Sequence, residues 1–184
     1  MIKRNTGFAN LTAGYLFPEI ARRRREYAAS HPEAKIISLG IGNTTEPLSK
    51  HIATAMSDYA LALATPAGYS GYGDEQGNTA LREKIAEVFY KGMAETSEVF
   101  ISDGAKCDIA RIQTLFGRDV KVAVQDPAYP VYVDGSVVVG AAGENNGSGY
   151  KGITYLPCTE KNDFFPDLSK VEKNTLIYFC SPNN

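Results

Sequence analysis

The chain has 184 residues, 43% of them hydrophobic, and a formal net charge of -2, enough for one substantial core. That balance argues against nucleic acid as a partner, and no apolar run is long enough to span a bilayer. The start, Met1-Ile2-Lys3-Arg4-Asn5, is followed by no apolar stretch of the kind a secretory signal needs, so a cytoplasmic protein is expected.

Residues 1–15 read as a polar, extended arm. Pro18 opens a helix running to about Ser30, proline being tolerated in a first turn. Its Arg22-Arg23-Arg24-Arg25 run points all round the helix, and Glu19 and Glu26 are spaced to pair with Arg23 and Arg22, so a solvated face is the better reading than a nucleic-acid patch. Lys35 to Leu39 reads as a short strand ending at Gly40-Ile41-Gly42. Ile52, Met56, Tyr59 and Leu63 recur at spacings of four, three and four, an amphipathic helix that ends near Pro66-Ala67-Gly68. A loop rich in glycine and tyrosine, Gly68 to Gly77, leads to Asn78, a cap for a helix carrying Leu81, Ile85, Val88 and Phe89. Val99-Phe100-Ile101 reads as a strand, Ala105 to Phe116 as a helix closed by Gly117, and Val120 to Val124 as the next strand. A short helix is expected after Tyr129-Pro130, then strands at Ile153–Leu156 and at Thr175–Cys180, the last read as buried on both faces. Cys107, Cys158 and Cys180 are odd in number and widely separated, the pattern of reduced thiols. Neither His31 nor His51 has ligating neighbours, so no metal is expected.

Strands alternating with helices imply a mostly parallel α/β sheet, whose ligands sit at the carboxyl ends of strands. Three loops are thereby singled out. Ser102-Asp103-Gly104-Ala105-Lys106 joins a strand to a helix start, where small residues, free amides and a lysine suit an anion. It suits an ordinary turn capped by Asp103 equally well. Gln125-Asp126-Pro127-Ala128-Tyr129-Pro130 holds an aromatic between two prolines, a stiff platform for a flat ring or a tyrosine packed on the sheet edge. Ser181-Pro182-Asn183-Asn184 offers amide donors. Phosphate cradle, ring platform and amide at one sheet edge together describe the needs of pyridoxal phosphate.

Around these loops the sequence resembles the fold-type I, pyridoxal-phosphate-dependent class I and II aminotransferases, and within them the branch acting on LL-diaminopimelate. The stretches that carry the resemblance are Ala13 to Ile20, Leu39 to Pro47, Gly68 to Gly77, Ser102 to Asp108, Gln125 to Tyr132 and Phe164 to Leu168. The fold it implies is an incomplete large domain, residues 46–184, with an arm and small-domain segment at 1–45.

By that resemblance, Gly104, Ala105 and Lys106 hold the cofactor phosphate, Tyr129 stacks on the ring, and Asn184 hydrogen-bonds the ring's phenolic oxygen. The family assembles as homodimers with shared sites, so Tyr72 of one subunit would serve the phosphate of the other. Tyr15, Glu75 and Lys106 would contact the substrate, Glu75 pairing with its distal ammonium. Gly40-Ile41-Gly42 would lie by the α-carboxylate. The substrates implied are amino acids and 2-oxo acids, with 2-oxoglutarate as the acceptor. The family's Schiff-base lysine, its pyridine-nitrogen aspartate and its carboxylate-binding arginine are all expected beyond residue 184, so no catalytic residue is assigned within this chain.

Two rivals remain. A nicotinamide enzyme would use Gly40-Ile41-Gly42 and Asp58, but Thr45 stands where a third glycine is needed and Asp58 falls inside a helical pattern. Other fold-type I enzymes, or a non-catalytic module acting by association, share the same loops or the same fold.

Overall fold

The computed structural model describes residues 2–12, 16–40, 42 and 45–183, Leu16 by its backbone alone. Tyr15, Ile41 and Asn184 lie outside the described residues. In chain order the elements are α1 (Gly7–Asn10), α2 (Leu16–Ser30), α3 (Lys50–Ala62), α4 (Thr79–Val88), α5 (Ala105–Phe116), β1 (Lys121–Asp126), α6 (Pro130–Val139), β2 (Ile153–Pro157) and β3 (Thr175–Tyr178), with short 3-10 turns at Thr96–Glu98, Glu160–Asn162 and Leu168–Lys170. They form two compact units, one of residues 1–40 and 105–184, the other of residues 41–104.

The first unit is built on a parallel sheet of order β2-β1-β3. β1 lies in the middle because Val122, Ala123 and Val124 are apolar in succession and can be covered on both faces. All three are buried. Helix α6 contributes Tyr132, Ser136 and Val137 to the same core. Helix α5 joins α6 through Gln113, whose Nε2 donates to the Tyr132 carbonyl at 3.0 Å and to Ser136 Oγ at 3.3 Å. This polar contact is fully buried, and its donors and acceptors are matched, as burial requires.

The arm is not the extended segment expected from its polarity. Residues 7–10 coil into α1, and Gly7 sits so close to α6 that a Cβ there would meet the Val138 carbonyl oxygen at 2.5 Å. Asn5 Nδ2 donates to that same carbonyl at 3.0 Å. Further on, the buried Tyr150 hydroxyl donates to the Asn10 carbonyl at 2.8 Å and accepts from the Thr12 amide at 3.2 Å. A polar segment without periodicity becomes ordered here because it docks.

Two expected strands are absent among the described residues. Lys35–Leu39 pairs with nothing, and Ile37 and Leu39 are 72% and 91% exposed. Val99–Ile101 runs extended without a ladder; Val99 is buried and the Ile101 amide donates to the Gln76 carbonyl at 2.9 Å. Apolar, β-branched residues favour extension, but a strand also needs a neighbour. The last strand stops at Tyr178 and occupies an outer position of the described sheet, so only Tyr178 is buried along it. Within the described residues Thr175, Leu176 and Ile177 are half-buried, less than the full burial expected.

In the second unit, Ser49 caps α3 by accepting from the Ile52 amide at 3.4 Å, and Asn78 caps α4 by accepting from the Leu81 amide at 3.0 Å. The apolar stripe of α3 has the expected spacing, yet no α3 side chain is buried. Helix α4 buries Arg82, which donates to the carbonyls of Gly77 and Thr96, both at 3.1 Å.

Candidate functional site

After β1 the chain builds β2 on one side and then β3 on the other, so the strand order reverses at β1. In parallel α/β sheets such a switch point is where a ligand finds a crevice at the carboxyl ends. Side chains tie the loops there. The Cys180 amide donates to Gln125 Oε1 at 2.8 Å, and Asn183 Nδ2 donates to the Pro127 carbonyl at 3.0 Å. From the β2 side, the Cys158 amide donates to the Asp126 carbonyl at 2.8 Å.

Tyr129 takes the N-cap position of α6, with Pro130 as the first helical residue. Two prolines and the helix start leave its backbone little freedom. Its ring meets the edge of Tyr132 at a centroid distance of 5.8 Å, and Tyr132 stacks on Tyr178 at 4.8 Å. Burial raises the pKa of Tyr132 and of Tyr178. Among the described residues the Tyr178 hydroxyl has no hydrogen-bond partner; the nearby Gln113 amide offsets part of its shift without reaching bonding geometry. The three rings form an apolar column whose outermost member is Tyr129.

Over that outermost ring stands Lys106 Nζ, 5.7 Å from the centroid, close enough for a cation–π contact. Lys106 belongs to the first turn of α5, so the positive end of a 12-residue helix and a lysine share the neighbourhood of one aromatic ring. Gly104, just before the helix, has φ +126 with open space where a Cβ would be. A side chain there would strain the backbone although there is room for it. Helix amides, a lysine and an aromatic ring suit a phosphate joined to a flat heterocycle.

Of the expected site residues, Ala105, Lys106 and Tyr129 come together in the first unit. Gly40 is exposed in the same unit. Gly42, Tyr72 and Glu75 lie exposed in the second unit, where Gly104 is the final residue. Tyr72 and Glu75 sit on a loop whose far end is held by Gln76, with Nε2 donating to the Ser97 carbonyl at 3.0 Å, and by Arg82. Tyr15, Ile41 and Asn184 fall outside the described residues. Tyr132 and Arg82 were not anticipated as site or support residues, and Gln125 and Asn183 lie in loops that were singled out without these supporting roles. A polar side chain at a strand's last turns and an arginine on the inner face of α4 were the available signals.

The model of the family described as aminotransferase class I and II matches residues 34–184. The chain belongs to that family. It is 51% identical to LL-diaminopimelate aminotransferase of Protochlamydia amoebophila and 53% identical to the chloroplastic LL-diaminopimelate aminotransferase of Arabidopsis thaliana, in each case over its whole length. Among solved structures, L,L-diaminopimelate aminotransferase from Chlamydomonas reinhardtii covers all of it at 60% identity with a TM-score of 0.88. The chain spans 45%, 40% and 45% of these three proteins. Among the described residues no helix is long and apolar enough to cross a membrane, and no cluster of three metal-ligating side chains occurs.

Proposed function

We propose that this chain is the amino-terminal part of an enzyme that transfers an amino group between LL-diaminopimelate and 2-oxoglutarate with pyridoxal phosphate. The identity of 51–60% to LL-diaminopimelate aminotransferases along the entire chain carries the reading. The pairing of Lys106 with Tyr129 at the head of α5 supports it.

When bound, the cofactor supplies an electron sink for the carbon that bears the migrating amino group. The chain's own residues bind and orient. Ala105 and Lys106 would offer backbone amides and the helix dipole to the phosphate, with Gly104 keeping the approach open. Tyr129 would carry the ring and Asn184 would donate to the ring's phenolic oxygen. In a homodimer with shared sites, Tyr72 would reach the partner's phosphate. Tyr15 and Glu75 would meet the distal end of the substrate, with Lys106 beside it, and Gly40-Ile41-Gly42 would border its α-carboxylate. We divide the chain at residue 45 into an arm with small-domain segment and a large-domain portion, and assign the protein to the cytoplasm.

The test is a full-length protein titrated with pyridoxal phosphate and assayed with LL-diaminopimelate. A protein that takes up no cofactor, or that takes it up and prefers another amino donor, refutes the corresponding half of the proposal. Within it, Glu75→Ala is expected to raise KM for diaminopimelate at least about tenfold, the scale of a lost charge-assisted pair, with cofactor affinity unchanged. Equal losses in both remove Glu75 from the distal subsite.

A further inference from the structure

We propose that Gln125 is a positioning residue that locks the loop after β3 to the loop carrying Tyr129. This rests on the cofactor reading above. β1 is held by β2 through Asp126, which pairs with Pro157, but its ladder with β3 ends two residues earlier at Val124–Tyr178. Beyond that pair the backbones separate and the Cys180 amide has no ladder acceptor. Gln125 supplies one from its side chain, Oε1 accepting at 2.8 Å in a partly buried position. The amide is thereby satisfied as a buried backbone donor must be, and the course of the loop is set at its first turn.

A second tie runs the opposite way, from Asn183 Nδ2 to the Pro127 carbonyl at 3.0 Å. The two bonds bracket the loop at residues 180 and 183, and both end on the segment 125–127 that leads to Tyr129. Ring platform and amide loop are thereby tied to each other. Gln125 acts only as an acceptor in this contact, so a glutamate can replace it and a methionine of similar length cannot.

The experiment compares Gln125→Met, Gln125→Glu and the exposed-site variant Asn183→Ala with the parent in the full-length protein. Amide hydrogen exchange over residues 179–183 is measured without cofactor, and the pyridoxal phosphate Kd is measured by titration. Gln125→Met is expected to speed exchange at Cys180 and to raise Kd about tenfold, the consequence of losing one partly buried bond. Gln125→Glu keeps the slow exchange, and Asn183→Ala raises Kd less. Slow exchange in Gln125→Met, or an unchanged Kd beside fast exchange, overturns the positioning role. A parent protein with a slow Cys180 amide but no cofactor uptake refutes the cofactor reading instead.

Discussion

At position 135 a Cβ would lie 2.0 Å from Gln113 Oε1, closer than any side chain tolerates. A side chain at 135 would therefore push Gln113 away from the Tyr132 carbonyl and Ser136 Oγ that it now reaches. Gly135→Ala is expected to destabilise the protein by about 1–3 kcal/mol, the scale of core overpacking. Gln113→Ala should cost about 1–3 kcal/mol by removing a buried polar contact and opening a cavity, while Ser136 Oγ still donates to the Tyr132 carbonyl at 2.7 Å. Because the two side chains occupy one space, the double variant should lose less than the sum, which urea unfolding would read as a coupling energy. Residues at this scale were unevenly legible. Tyr129 stood out because prolines flank it, a local signal. Gln125 did not, because its partner, Cys180, is 55 residues away and only the divergence of two strands creates the need.

Among the elements, α2 answers to charge. Glu19 pairs with Arg22 at 2.6 Å and with Arg23 at 2.7 Å, and Arg22 also pairs with Glu26 at 2.6 Å. Hydrogen bonds from Arg22 and then Arg23 lower the Glu19 pKa from 4.5 to about 2. A carboxyl depressed in the folded state stabilises above its ordinary pKa and loses that contribution as pH falls through the folded value. The α2 helix should hence weaken between pH 4.5 and about 2, and Glu19→Gln should flatten this limb of a helicity titration by circular dichroism. These pairs are exposed, so salt should blunt the effect. Helical spacing exposed these pairs, whereas the strand-like runs Lys35–Leu39 and Val99–Ile101 were misread. Helical pairing lies within one segment and is visible in it; strand pairing depends on a second segment, and these two have none among the described residues.

On the scale of the whole molecule, the parallel sheet, the sequence of later elements and the head of α5 beside Tyr129 were all foreshadowed by alternating periodicities and glycine–proline punctuation. The placement of β3 outside β1 was not, since a run of apolar residues records burial tendency and says nothing of strand order. Nor was the bare stripe of α3, whose Ile52, Met56, Tyr59 and Leu63 keep helical spacing and yet face outward. Expressed as residues 1–184 alone, the chain is expected to associate through such surfaces. Light scattering should show species larger than 19.9 kDa, and Tyr59→Lys with Met56→Lys should reduce them; a monodisperse monomer would refute this.

The bonds from Asn5 to Val138 and from Tyr150 to Asn10 join residues 133 and 140 positions apart. During synthesis the opening segment leaves the ribosome long before its docking surface has been translated. At roughly 5–20 residues per second the wait is on the order of ten seconds or more. Phe8 and the rest of the segment spend that interval unsecured, and gain their fixed course only when residues 138–150 have emerged.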